Sequence, residues 1–398
     1  MSNYNQSIDF LLSLETQGIK MGLKRTQRLL NSCNNPEKDL RSVQIIGTNG
    51  KGSTASSLSS ILERSQLRVG LYTSPHLVKF NERIQINREC ISDDYINYFI
   101  KRYRDDIINL SCTFFEVMTV MALTYFKDNT IDIALLETGL GGQFDSVTAC
   151  KPSLQLFTSI SKDHMHILGN SLDEIATEKA KAIQLNIPCI SAKQNNIVKP
   201  ILDYFAKKNN TQIIYSEYFN YPHSPLMGKH QEENINLAIS AAKHLIDVKE
   251  CNIIDGIKNI HWPGRNQILR QEPTIIFDVS HNESSLFEFI NTMKSLDIKG
   301  KKVLLLSLQN TKDISQVASS LTTYFDYIVC TKLNDRMYDI KQLMLIFNNK
   351  TKTQESNDPY NTLKTLVNNL DDNDLLAIVG SHYWGPYIQR FFKNSFAS

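Results

Sequence analysis

Along the 398-residue chain, short apolar runs alternate with stretches whose apolar positions recur at helical spacing. Residues 43–46 form an apolar run that predicts a strand, followed by a glycine-rich turn. Residues 53–63 carry Leu58, Ile61 and Leu62 on one helical face. Runs 131–136 and 154–160 are continuously apolar, as expected of strands covered on both faces. Ser171 and Glu174 have capping-box spacing and predict a helix start ahead of a short strand at 188–190. A long polar–apolar helix is predicted over about 232–246. A second series of strands is predicted at 274–279, 302–308, 327–331 and 375–379. Helices are expected between them, at about 284–296, 315–324, 340–347 and 360–369.

This alternation predicts an α/β chain built on parallel sheets with right-handed crossovers. The Pro263-Gly264 pair is the natural linker. The expected organisation is a large α/β domain over 1–261, a linker over 262–267, and a smaller Rossmann-like α/β domain over 268–398. The length agrees, since it exceeds what one core usually supports.

Composition narrows the classes. The chain is 41% hydrophobic and 21% charged, with 43 basic and 41 acidic side chains, a net charge of +2. That balance offers no electrostatic footprint for nucleic acid or an anionic membrane. The most apolar helical stretch, 114–126, is short and carries Glu116, so it predicts a buried helix and no membrane span. The N-terminus lacks a basic region followed by a long apolar run, and no signal peptide is read. Seven scattered cysteines without a C-x-x-C pair suit a reducing cytoplasm.

The first chemistry-bearing segment is VQIIGTNGKGST, between a predicted strand and a predicted helix. Gly47, Gly50 and Gly52 let successive N–H groups turn toward one anion, with Thr48 and Asn49 in the same loop. Lys51 adds a full positive charge, and the helix N-terminus adds its dipole. The segment departs from the usual phosphate-loop spacing. Ile45 stands where a glycine is expected, and Gly52 separates Lys51 from Ser53. A direct Mg²⁺ contact from Ser53 is therefore less secure than in ordinary phosphate loops, although the loop as a whole reads as an ATP site.

GTNGKGST, LYTSPHLVKFNERIQIN, TFFEVMT, LLETGLGG, KDHMHILG, EIATEKAKAI, HQEENINLA, WPGR and DVSHN follow one another in order. In order and spacing they resemble the folylpolyglutamate synthase and dihydrofolate synthase family, within the Mur ligase superfamily. The resemblance extends from about residue 20 to about residue 390. It implies ATP-dependent ligation of L-glutamate to dihydropteroate, to a reduced folate, or to both. An acyl phosphate would be the activated intermediate.

The resemblance implies roles residue by residue. Glu137, at the end of a predicted strand, matches a Mg²⁺ ligand, as do His164 and Ser74. Lys179 matches a lysine often carbamylated, which would hold a second Mg²⁺ as an anionic oxygen ligand. Read from residues alone, Glu178, Lys179 and Lys181 equally describe a solvated helix face. Asn234 matches an adenine-side residue, and Arg265 an arginine that reaches the phosphates. Asp278 would bind the ribose, and His281 would lie near the phosphates as a catalytic partner of Lys51 and Lys179. Lys312-Asp313 and the Ser381–Tyr383 element resemble segments expected to help bind the incoming glutamate. Closure about Pro263-Gly264 would exclude water from the acyl phosphate.

The chain departs from the family pattern at Gln143, where Arg is usual, and at Thr148, where Asn is usual. Glu283 stands where Pro is common, and GSHYW replaces GSLY. Two rival readings remain at this point: another Mur-type amide ligase acting on a peptidoglycan precursor, or a non-catalytic ATP-binding paralogue. The expected setting is a cytoplasmic monomer acting on small molecules, with no nucleic-acid or membrane partner.

Overall fold

The structure is a computed structural model that describes residues 3–15, 18, 20, 22–221, 223–347 and 352–396. The chain divides into two compact units. The first comprises 1–161, 168–223 and 233–260; the second comprises 162–167, 224–232 and 261–398. The division is therefore not a single cut in sequence. Two short segments, one holding Asp163 and His164, group with the C-terminal part.

The first unit is built on eight strands: β1 (Ser42–Ile46), β2 (Val69–Tyr72), β3 (Ile84–Ile86), β4 (Glu89–Cys90), β5 (Ile133–Glu137), β6 (Leu154–Phe157), β7 (Cys189–Ser191) and β8 (Ile213–Tyr215). Their order is β4-β3-β2-β5-β1-β6-β7-β8. β1 lies at the centre, parallel to β5 (Ile45 opposite Glu137) and to β6 (Ile46 opposite Phe157). All residues of β1, β5 and β6 are buried, which explains their continuous apolar runs. The register brings the carboxyl ends of β1, β5 and β6 together, where open α/β sheets build their sites. Only β3, near one edge, runs antiparallel to its neighbours β2 and β4.

The helix Lys51–Arg64 follows β1 and is buried from Gly52 to Leu62, beyond the single face the pattern suggested. Its serines make this possible. Ser57 donates to the Ser53 carbonyl and Ser60 to the Gly256 carbonyl, so their hydroxyls are satisfied without water. Helix Phe114–Asp128 starts at a capping box of Thr113 and Glu116, and its buried face, Phe126 included, joins Phe99 and Ile100 in one core. Glu116 also receives Arg25 at 3.0 Å, so the one carboxylate in this apolar stretch is paired.

The second unit has six strands: β9 (Gln267–Arg270), β10 (Thr274–Asp278), β11 (Lys302–Leu306), β12 (Tyr327–Thr331), β13 (Lys352–Ser356) and β14 (Leu375–Val379). Their order is β13-β12-β11-β14-β10-β9, and only β9 runs antiparallel to its neighbour. Helices Glu283–Lys294 and Ser315–Tyr324 supply Leu286, Phe289, Val317 and Leu321 to its core. Removing a large side chain such as Phe289 from such a core costs about 3–5 kcal/mol.

In the first unit the hydrophobic pattern missed β2, β3, β4 and β8, and in the second it missed β9 and β13. The last two are edge strands rich in polar residues (QILR and KTQES), so neither carries a buried-strand signature.

Candidate functional site

In the first unit the glycine-rich loop runs from β1 into the helix Lys51–Arg64. Two glycines are dictated by space. A Cβ on Gly47 would fall 1.9 Å from Thr158 Oγ1. Gly50 has φ +88°, and a Cβ there would fall 2.1 Å from Asn234 Oδ1. The loop is fastened to the segment just after β6 by hydrogen bonds to Ser159 and Ser161. Thr48 N–H donates to the Ser159 carbonyl (2.9 Å), Thr48 Oγ1 donates to the Ser161 carbonyl (3.0 Å), and Asn49 Nδ2 donates to Ser161 Oγ (3.2 Å). The first helical residues follow Gly50, which offers no side-chain cap to their N–H groups. A helix N-terminus left in this state favours an anion.

Around the loop stand charges and hydroxyls. Lys51 Nζ donates to the Thr48 carbonyl (3.1 Å) and lies 3.8 Å from Glu137 Oε1. Glu137 is the last residue of β5 and is buried; its Oε2 accepts from the Ser74 N–H at 3.1 Å. Ser74 thus meets Glu137 through its backbone. Ser53, Thr54 and Thr138 are buried, and their hydroxyl oxygens have no hydrogen-bond partner among the described residues. Buried hydroxyls without partners are costly unless a ligand satisfies them. One carboxylate among several hydroxyls is the donor chemistry of a hard divalent cation such as Mg²⁺. Ser53 therefore carries more weight as a candidate ligand than loop spacing alone suggested.

Lys179 lies near the end of helix Leu172–Ala180, whose N-cap Ser171 accepts from the Glu174 N–H (3.4 Å). Its side chain is not on a solvated face. It is buried, and Nζ donates to the Gly47 carbonyl at 2.8 Å. The turn 139–142 passes so close that a Cβ on Gly142 would fall 2.8 Å from Lys179 Cα. Asp145 holds this turn by accepting from the N–H groups of Gly139, Leu140 and Val147. Asn234 sits in the second turn of helix Lys229–Leu245, buried against Gly50 rather than solvated.

In the second unit, Asp278 ends β10 and is buried. Its Oδ2 accepts from the Asn266 N–H (2.6 Å) and its Oδ1 from the Ser280 N–H (2.7 Å), which fixes the backbone beside Arg265. His281 Nδ1 donates to the Val279 carbonyl at 2.8 Å, since a carbonyl can only accept. Desolvation, reinforced by Lys312, pushes its pKa down to about 4. His164 stands beside Asp163 and has φ +50°. Asp163 Oδ1 meets Lys312 Nζ at 2.5 Å, and its Oδ2 accepts from Asn282 Nδ2 at 2.9 Å. Burial alone would raise the Asp163 pKa, but His281, His164 and Lys312 hold the carboxyl well below the usual carboxylate range. With His281 neutral at pH 7, Lys312 is the cation that balances it. Ser381 caps the turn His382–Trp384, and Tyr383 Oη accepts from Arg336 at 2.8 Å.

Residues 45–222 match the Mur ligase middle domain, and residues 264–382 match the Mur ligase glutamate ligase domain. The chain is 30% identical to the dihydrofolate synthase/folylpolyglutamate synthase of Bacillus subtilis, covering 94% of this chain and 96% of that one. It belongs to the dihydrofolate synthase/folylpolyglutamate synthase family. The FolC structure of E. coli in complex with ADP, without folate substrate, is 25% identical with a TM-score of 0.86, covering 97% of each chain. The folylpolyglutamate synthase/dihydrofolate synthase of Yersinia pestis, complexed with AMPPNP and a Mn ion, shares the fold at 23% identity and a TM-score of 0.88, covering 98% of each chain.

Thr148 has a structural role in this chain. Thr148 Oγ1 donates to the Gly142 carbonyl (2.7 Å) and accepts from Gln44 Nε2 (2.7 Å). Gln44 Oε1 in turn accepts from Gln155 Nε2 at 2.8 Å. Thr148 anchors the turn behind Glu137. Sequence reasoning missed Asp163 and Asn282 as site neighbours. Their signal was available: an Asp directly before His164, and an Asn directly after His281.

Proposed function

We propose that this chain joins L-glutamate to dihydropteroate, to a reduced folate, or to both, using ATP and Mg²⁺. The observation that carries this reading is the group around the glycine-rich loop: Lys51 beside Glu137, and the buried, unpartnered hydroxyls of Ser53 and Thr138. Family membership supplies the reaction class.

The acceptor carboxylate attacks the γ-phosphorus of ATP, ADP leaves, and an acyl phosphate forms. The glutamate nitrogen then attacks the acyl carbon, phosphate leaves, and the nitrogen gives up a proton. In this reading Gly47, Thr48, Asn49, Gly50 and Gly52 cradle the phosphates through backbone N–H groups. Lys51 neutralises charge that grows as ADP departs. Glu137, Ser74, Ser53 and His164 would hold Mg²⁺, which supplies charge neutralisation on phosphate oxygens. Asn234 serves the adenine side, Arg265 the phosphates, and Asp278 the ribose. Lys312 and Ser381 receive glutamate carboxylates. His281, neutral at pH 7, suits a hydrogen-bonding role near the phosphates.

Lys179 is read as the carbamate position, and its burial and contact with the loop carbonyl support that reading. A ¹³C-bicarbonate-labelled sample should show a carbamate resonance that is missing in Lys179→Ala. Its absence from the unmodified enzyme would remove the carbamate and the second Mg²⁺ from the scheme. The chain is read as a cytoplasmic monomer, in keeping with seven free cysteines, and sedimentation velocity would reveal any dimer.

The deciding experiment is ADP release with dihydropteroate and with tetrahydrofolate in turn, with glutamate present and absent. Product chain length is followed by mass spectrometry. Glutamate-dependent turnover with one or both acceptors is expected. ADP release with neither would sink the reading.

A further inference from the structure

Among the described residues of the second unit, Asp163 gathers four polar groups from three places in the sequence. Its Oδ1 accepts from Lys312 Nζ at 2.5 Å and from the His164 N–H at 2.7 Å. Its Oδ2 accepts from Asn282 Nδ2 at 2.9 Å and lies 3.8 Å from His281 Nε2. The Asp163 side chain is 8% exposed and that of Lys312 is 5% exposed. A charge pair buried this far is costly unless its geometry is tight and its remaining polar sites are satisfied. Here both carboxylate oxygens are engaged by named donors.

Each partner is itself fixed from a second side. Tyr338 Oη donates to the Lys312 carbonyl at 3.0 Å. Asn282 caps helix Glu283–Lys294, accepting from the Ser285 N–H at 2.9 Å. The His281 N–H donates to Ser285 Oγ at 3.2 Å. Asp163 therefore closes a ring through the loops that follow β10 and β11. A lysine ammonium has three donors on a flexible four-carbon stem. Committing one donor to a rigid carboxylate restricts where the other two point. A binding lysine held in this way loses less freedom when a carboxylate ligand arrives.

We propose that Asp163 is a positioning residue for glutamate binding. It holds the Lys312 ammonium in place to receive a carboxylate of the incoming amino acid and ties it to the His281–Asn282 turn. This rests on the ligase reading given above. Asp163 does not touch substrate in this scheme; it acts through Lys312.

The test is steady-state kinetics on the full chain with saturating acceptor. The variants are Asp163→Asn, Asp163→Glu, Lys312→Met, and the Asp163→Asn/Lys312→Met double variant. Asp163→Asn keeps the shape and the acceptor oxygen but removes the charge. It should raise KM for glutamate about 10- to 100-fold, the scale set by one charge-assisted hydrogen bond. KM for ATP should change less than about threefold, since no ATP contact is assigned to Asp163. Asp163→Glu, which restores the charge, should recover part of the glutamate KM. In the double variant the two effects should fail to add, because both remove one interaction.

A thermal melt of each variant separates loss of fold from loss of positioning. If Asp163→Asn lowers kcat and raises both KM values together with a lower melting temperature, Asp163 is merely structural and the proposal falls. An unchanged glutamate KM in Asp163→Asn, with the parent enzyme active, overturns the positioning role and leaves the ligase reading standing. A parent enzyme that shows no glutamate-dependent ADP release with either acceptor overturns both.

Discussion

The glycine-rich loop of the first unit and the Asp163 cluster of the second are two polar constructions made by opposite means. The loop works through backbone. Its glycines lie within six residues, and its fastenings to Ser159 and Ser161 are short contacts of main chain and small side chains. The Asp163 cluster works through side-chain charge. It draws Lys312 from 149 residues away and Asn282 from 119 residues away. Backbone that must adopt positive φ, or that leaves no room for a Cβ, restricts the residue type wherever it occurs; a Cβ on Gly50 would fall 2.1 Å from Asn234 Oδ1. A side-chain pair restricts only the sum of two distant charges. The first construction is therefore local and tolerates little change. The second is dispersed, and one member can be tuned without altering the chain path.

Substitutions test each construction separately. The largest effect is expected from Lys51→Ala, which removes the loop's full charge. Turnover should fall about 10²–10³-fold in an ADP-release assay, the range for losing one preorganised electrostatic contact. Full activity in that variant would overturn the phosphate assignment. Next, Gly50→Ala places a methyl 2.1 Å from Asn234 Oδ1 at a residue with φ +88°. ATP affinity, measured by calorimetry, should weaken at least about tenfold, because the backbone must move to admit the methyl. Adding Asn234→Ala should relieve the collision but not the strained φ, so only part of the loss should return. Complete recovery would show that φ does not matter at this position.

The Asp163→Asn effect on glutamate KM should fall in the same range as the Gly50 effect but on a different substrate. If both variants weakened ATP and glutamate alike, the division of labour between the two constructions would be wrong. A smaller effect is expected from Thr148→Val, which keeps the shape and deletes the hydroxyl joining Gln44 to the Gly142 carbonyl. Stability should drop by about 1–3 kcal/mol, the cost of leaving a buried polar partner unsatisfied, with denaturant titration as the measurement. The smallest is Tyr383→Phe, which removes an exposed contact to Arg336. Its melting temperature should stay within about a degree or two of the parent, since surface contacts contribute within about 0.5 kcal/mol.

Several features are legible in the sequence. The strands Tyr327–Thr331 and Leu375–Val379 and the helix Ser315–Tyr324 fall at the predicted bounds, because continuous burial leaves an apolar signature. Lys179 was harder. Its neighbours Glu178 and Lys181 are partly exposed and pair at 3.6 Å, so the local composition describes a surface helix while Lys179 itself points inward. Thr148 read as a departure from a pattern, and its partners on β1 and the turn show it to be an anchor.

The α/β architecture, the glycine-rich loop and the family are legible in the sequence alone, because each rests on contiguous residues whose backbone or burial demands are met locally. Only the tertiary structure decided that Asn234 abuts Gly50, that Lys179 reaches the Gly47 carbonyl, and that Asp163 receives Lys312. Those contacts depend on how strand order and loop paths place remote side chains. A one-dimensional pattern of hydrophobic and polar positions carries no record of that placement.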